Sequence, residues 1–286
     1  MSQPKENYSA KLRAKSMVYF VICIILTLIC LVPIYILIIN ATRKHVDIIS
    51  SVSFIPGSNL AANVKKLLND PMFQFDPFIG FKNSAIIAVG STVLSVFFSA
   101  LTAYGLVVYD FKLRGPAYTF ILVVMMVPMQ VTSVGFLQFM IKLGLSDSFI
   151  PLIVPTIAAP AIVFFMRQYL KSSFPLDIVE AARIDGCGEF RTFLTIAIPM
   201  MKPAIAVQAI FAFIQNWNNF YQPSMILVSR KFEQITMPMM INMLKSNDKI
   251  ADYGVIYAGI ALSIIPVVVI YLLLSRFIVE GVALGG

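Results

Sequence analysis

The chain has 286 residues, 59% of them hydrophobic and 13% charged, with a net charge of +8 and a mean hydropathy of +0.85. Soluble domains run near 45–50% apolar and about 25% charged, so an ordinary soluble globular fold is excluded. The basic excess belongs to lysines and arginines at membrane edges rather than to nucleic-acid binding, because no aromatic residues interleave with the basic ones.

Six apolar segments reach the roughly 20 residues that a spanning helix needs: 17–39, 83–109, 117–141, 150–170, 203–228 and 254–279. They do not alternate, which argues against a transmembrane β-barrel. The expected fold is an all-α integral membrane domain of six transmembrane helices over 17–279, with its core at 83–279. Short tails at 1–16 and 280–286 flank it.

The first segment, Met17 to Ile39, exceeds the roughly 7–15 residues of a signal-peptide core and lacks a small-x-small cleavage site. It is therefore expected to stay as an anchor. Lys5, Lys11, Arg13 and Lys15 precede it, and Lys112 and Arg114 lie in the tight turn at 110–116. With the positive-inside rule these put both termini in the cytoplasm.

An outer loop, Asn40 to Lys82, follows. Within it Leu60, Val64, Leu67 and Leu68 recur at helical spacing, and Asn69-Asp70-Pro71 ends the short amphipathic helix they predict. The second span carries Ser84, Ser91, Thr92, Ser95, Ser99 and Thr102, small residues that let membrane helices approach closely. Pro128 interrupts the third span, and Pro151, Pro155 and Pro160 interrupt the fourth. Each break is either a static kink or a bend beside a pathway.

In the fifth span Gln208, Gln215 and Asn219, at offsets of seven and eleven, fall along one helical face. Asn216, Trp217, Asn218 and Tyr221 crowd its outer end. Neutral amides and aromatic rings suit sugar hydroxyls and sugar faces; the same groups also serve as glue between helices or as an interfacial belt. Gln130 and Gln138 are weaker candidates of this kind. A polar outer loop, about 229–253, leads to the last span and offers Arg230, Lys231, Glu233, Lys245, Asn247, Asp248 and Lys249.

The apolar cores hold no Asp, Glu, Lys or His, and Arg167 sits at an edge. That argues against proton relays and voltage sensing. No glycine precedes a lysine, so no phosphate-cradling loop is present. No metal spacing exists, since the single His45 stands alone, and Cys23, Cys30 and Cys187 read as ordinary small residues.

The stretch that carries the most information is 172–202. Ser172-Ser173-Phe174-Pro175 leave the fourth span, and Asp177 starts a helix where negative charge suits the positive end. Glu180-Ala181-Ala182-Arg183-Ile184-Asp185-Gly186 follow, with Gly186 placed for a left-handed stop. A second helix carries Phe190, Phe193, Leu194 and Ile198 until Pro199 breaks it. Ala181 and Ala182 let a partner backbone come close, Glu180 is set to pair with a partner arginine, and Asp185 to fix the turn. A helix lying on lipid would favour a basic polar face instead.

In register, Glu180, Ala181, Ala182, Asp185, Gly186, Phe193, Pro199 and Pro203 resemble the coupling loop of the membrane subunits of binding-protein-dependent ABC importers. Trp217-Asn218-Asn219-Phe220 followed by Pro223 looks like a segment of the sugar-importing branch. The six-span layout resembles the smaller membrane subunit of the maltose-type importer. The resemblance implies a type I importer fold in the bacterial cytoplasmic membrane. It implies a second permease subunit, two ATPases that bind ATP and magnesium in place of this chain, and an extracytoplasmic sugar-binding protein. It further implies that the outer loop, near Pro238, Asn242 and Lys245, meets that binding protein. The same scaffold importing another solute, or a secondary carrier, are the alternatives.

Overall fold

The structure, a computed structural model, describes residues 5–229, 231–246 and 252–283. All regular structure among the described residues is helical. In chain order the helices are α1 (Lys5–Ala41), α2 (His45–Ser50), α3 (Leu60–Asn69), α4 (Pro77–Val108), α5 (Arg114–Met125), α6 (Met129–Lys142), α7 (Ile150–Ile153) and α8 (Pro160–Ser173). Then come α9 (Asp177–Ile184), α10 (Glu189–Thr192), α11 (Ile198–Met200), α12 (Lys202–Trp217), α13 (Tyr221–Ile226), α14 (Met237–Ser246) and α15 (Tyr253–Ala283).

Four helical stretches are long and apolar enough to cross a membrane, and two sharply bent pairs bring the total to six if each counts as one span. The helix expected over the third apolar segment is cut in two. Arg114–Met125 and Gln130–Lys142 are bent by 96°, because Pro128 supplies no N–H to the preceding turn. The fifth is shorter than expected. α12 ends at Trp217 rather than continuing to 228, and Asn218 and Asn219 turn the chain into α13. The basic N-terminal tail is helical from Lys5 onward, continuous with α1.

By contacts the chain divides into two compact units, one of residues 1–75 and 244–262, the other of 76–243 and 263–286. In the first, α1 is apolar on all sides and exposed from Met17 to Tyr35, as a lipid-facing helix should be. Its end is heavily capped. The buried Asn63 side chain donates to the Ala41 and Arg43 carbonyls at 2.8 and 2.9 Å, satisfying groups that a helix C-terminus leaves open. The buried Arg43 guanidinium donates to Asn40 Oδ1, the Asp47 carbonyl and Ser51 Oγ. The predicted amphipathic helix is α3, but its buried face is Asn63 and Leu67, while Leu60 and Leu68 stay exposed.

In the second unit α4 starts six residues before the predicted Asn83, at Pro77. The Asp76 carboxylate accepts from the Phe78 and Ile79 N–H groups, and Pro77 sits at the first helical position. Asn83 is then well inside the helix and buried, donating to the Glu233 and Ile235 carbonyls. Ala88, Ser91, Ser95, Ser99, Ala100 and Ala103 of α4 are buried, and α4 packs on α8 and α12. Ser91 Oγ donates to the Leu152 carbonyl at 3.1 Å. Leu152 lies in α7, just before the 3-10 turn at Val154–Ile157, in the proline-rich stretch that interrupts the fourth span. A serine of one helix thus serves a backbone carbonyl beside the proline break of another.

Candidate functional site

The site is α9 and the turn after it. α9 is eight residues long, with Asp177 and Glu180 in its first turn. It buries Val179 and Ala182, three residues apart, and exposes Glu180, Ala181, Ile184 and Asp185. Ile184 is 87% exposed and stands out from the helix as an apolar knob. Only one of the two alanines is thus available to a neighbour: Ala182 packs inward, against the expectation that both would be.

Gly186 has φ +75°. The Cys187 N–H bonds to the Ala182 carbonyl at 2.9 Å and the Gly186 N–H to the Arg183 carbonyl at 3.0 Å. These are the two bonds of a Schellman stop. The turn closes through backbone groups alone. Among the described residues nothing donates to the Asp185 carboxylate, so the expected role of Asp185 in fixing the turn is not seen.

α9 rests on an aromatic base. Phe193 and Tyr104 are fully buried, with ring centroids 5.3 Å apart; Phe174 packs edge-on to Tyr104 at 6.2 Å and Phe97 to Phe193 at 5.9 Å. Val179 belongs to the same buried cluster. The second helix expected after Gly186 does not break at Pro199. α10 passes into a π turn at Phe193–Ala197 and then α11, and the 80° bend falls between Met200 and Lys202.

A polar tie that sequence reasoning missed locks α9 to α10 and to the end of α4. Arg183 Nε donates to Glu189 Oε1 at 2.7 Å, the Tyr109 hydroxyl donates to Glu189 Oε2 at 2.7 Å, and the guanidinium lies 5.8 Å from the Tyr109 ring centre. Only the six-residue spacing of Arg183 and Glu189 could have hinted at it. The Arg183 bond, then the Tyr109 bond, hold the Glu189 carboxyl below its ordinary value. Burial, followed by the bond to Glu189, pushes Tyr109 up to about 12. A depressed carboxyl adds stability that is present above its unfolded value and is lost as pH falls through the folded one. A raised phenol keeps its proton until pH climbs toward its folded value. The tie should thus be intact from about pH 5 to about pH 10. Carbon-13 NMR of labelled glutamate should show the Glu189 carboxyl titrating below the usual range, and moving back up in Tyr109→Phe.

The other expected site residues are more dispersed. On α12, Gln208 is buried and Gln215 exposed. Asn219 lies beyond the helix end, so it does not share their face; its amide donates to Gln222 Oε1 and its oxygen accepts from the Gln222 N–H. Asn216 donates to the Ala212 carbonyl, and the Tyr221 hydroxyl pairs with Ser133 Oγ at 2.9 Å. Trp217 is buried and donates to the Ser263 carbonyl. The supposed polar loop before the last span contains α14. Its Met237, Met240 and Leu244 are buried, whereas Pro238 is half-buried and Asn242 and Lys245 are exposed. Arg230, Asn247, Asp248 and Lys249 lie outside the described residues.

Residues 95–283 match the family described as binding-protein-dependent transport system inner membrane component. The chain belongs to that family. This transport component is 34% identical over 266 residues to the arabinooligosaccharides transport system permease protein AraQ of Bacillus subtilis (strain 168), covering 91% of this chain and 92% of that one. It is 32% identical over 208 residues to the lactose transport system permease protein LacG of Rhizobium radiobacter, covering 73% and 75%. A 28% identical relative is the sn-glycerol-3-phosphate transport system permease protein UgpE of Pectobacterium atrosepticum, covering 91% and 93%. The fold matches that of a chain in the crystal structure of a bacterial ABC transporter involved in the import of the acidic polysaccharide alginate. The TM-score is 0.74 at 24% identity, over 92% of this chain and 96% of that one. As a permease the chain is a transport component rather than an enzyme, and its family requires a binding protein by definition.

Proposed function

We propose that the chain is a permease subunit of an ATP-driven carbohydrate importer in the bacterial cytoplasmic membrane, with both termini cytoplasmic. It forms half of the pathway with a second permease subunit. Two ATPase subunits bind ATP and magnesium in its place, and an extracytoplasmic sugar-binding protein delivers the solute. The observation that carries this reading is α9, a rigidly seated short helix that presents Glu180, Ala181, Ile184 and Asp185 outward. An acidic, knobbed surface held from behind by aromatic packing transmits a push without deforming.

The sugar is inferred from the AraQ and LacG relatives; the UgpE relative makes another small polar solute the second reading. Gln215 is the best-placed amide for the pathway wall, since Asn216 and Asn219 bond to nearby residues, Tyr221 pairs with Ser133 of α6, and Gln208 is buried. Pro238, Asn242 and Lys245, spaced i, i+4, i+7, form one stripe of α14 and are proposed to meet the binding protein, with the methionine face anchoring the helix from behind.

The test is capture. Affinity purification of the chain from its native membranes should bring an ATPase with it, and Glu180→Lys should deplete that ATPase by replacing attraction with repulsion. A secondary carrier would bring none. Full ATPase recovery with the reversed charge would remove Glu180 from the contact.

A further inference from the structure

We infer that residues 46–55 form a membrane-interface anchor, seated in the lipid leaflet at the C-terminal end of α1. The chain does not simply leave the membrane after Ala41. α2 and the segment behind it fold back along α1. The Asn59 N–H bonds to the Thr42 carbonyl and the Gly57 N–H to Thr42 Oγ1, both at 2.8 Å. Three residues earlier, the Phe54 carbonyl accepts from the Tyr35 hydroxyl at 2.7 Å.

These two attachments set a depth. Tyr35 lies seven residues before Thr42, about 10 Å along the helix axis, and four before Ile39, the end of the apolar run, about 6 Å. Its side chain leans toward the helix N-terminus, which carries the hydroxyl deeper still. Interfacial segments bury their apolar side chains about 5–10 Å into the boundary between headgroups and acyl chains. Phe54 is therefore held at that level by a helix whose own lipid-facing length defines where the level is.

The composition fits lipid rather than water. Val46, Ile49, Val52, Phe54 and Ile55 are 57–79% exposed. Asp47 is the only formally charged residue from Val46 to Asn59. The segment is also pinned too closely to swing away. A Cβ on Gly57 would stand 2.5 Å from the Thr42 carbonyl oxygen, so a side chain there would push the strap off α1. Such an anchor would fix the height of the α1 end and of everything Arg43 and Asn63 tie to it.

Depth-dependent quenching tests this. The complex is purified with Phe54→Trp, reconstituted in phosphatidylcholine vesicles carrying bromines high or low on the acyl chains, and compared with the unsubstituted complex to remove the Trp217 signal. Lys65→Trp, on the exposed side of α3, serves as the aqueous reference. Shallow bromines should remove roughly half of the added emission at position 54, deep ones less, and aqueous iodide little. Quenching by iodide instead would overturn the anchor. So would shielding from both quenchers, which would mean that a partner protein covers the segment. Should Phe54→Trp fail to assemble, Ile55→Trp gives the same readout without replacing the residue whose carbonyl Tyr35 holds.

Discussion

Gly186→Val should abolish ATP-driven uptake while the protein still reaches the membrane in normal amount. Gly186 has φ +75°, and nothing lies within 4 Å of a Cβ built there, so the substitution meets no obstacle in space. The penalty is entirely in the backbone, about 1–2 kcal/mol for a side chain in the left-handed region, and a β-branched residue sits there worst of all. α9 has only eight residues and ends in two Schellman bonds, so its last turn is the part that gives way. That turn holds Ile184 and Asp185, half of the outward surface. Gly186→Ala should act in the same direction more weakly, and Gly186→Asn more weakly again, because asparagine tolerates this region. Transport and ATPase activity measured on the same vesicles check the order. Near-normal uptake in Gly186→Val at normal membrane level would show that the shape of this turn does not matter.

Phe193→Ala should have the largest effect on stability. The side chain is fully buried, and its ring meets Phe97, Tyr104 and Phe190. Truncating a buried phenylalanine costs about 3–5 kcal/mol in well-packed cores. Here the cavity opens directly under α9, which rests on this cluster through Val179. Thermal unfolding of the detergent-solubilised complex, followed by loss of the monodisperse peak in size-exclusion chromatography, should show a midpoint several degrees lower. Phe193→Leu keeps most of the volume and should fall between. If the alanine variant is lost before purification, the leucine variant carries the test: uptake should drop more than complex assembly does, because the seat of α9 loosens first. An unchanged midpoint in both would mean that the aromatic base is not what holds the helix.

Composition and local pattern determined a good deal by themselves. Long apolar runs dictate membrane helices because an unsatisfied backbone is too costly in lipid, and all six segments turned out helical over most of their length. Glycine at 186, just past the periodic stretch of a short helix, points to a left-handed stop because most side chains resist that conformation, and the acidic first turn of α9 follows from the helix dipole. The short amphipathic helix at Leu60–Asn69 was legible from its spacing. These are properties of a few neighbouring residues, so neighbouring residues reveal them.

The rest was decided by residues far apart in sequence. Which alanine of the Ala181-Ala182 pair faces out depends on the aromatic base contributed by Tyr104, Phe174 and Phe193. Periodicity gives the angle between the two alanines but not which side is covered. Glu189 became a structural ligand only because α4 ends with Tyr109 beside it. The polar stretch before the last span became the helix α14 because its methionines had a surface to cover: Met237 and Met240 close over Gly80, where a Cβ would lie 3.0 Å from each. Asn219 left the face it was expected to share because α12 stops at Trp217, whose indole is held by the Ser263 carbonyl. The fold-back of 46–55 is held by Thr42 bonding Gly57 and Asn59 and by the Tyr35 hydroxyl reaching a carbonyl nineteen residues away. Burial and long-range hydrogen bonds are choices among partners, and a partner exists only once the chain has folded.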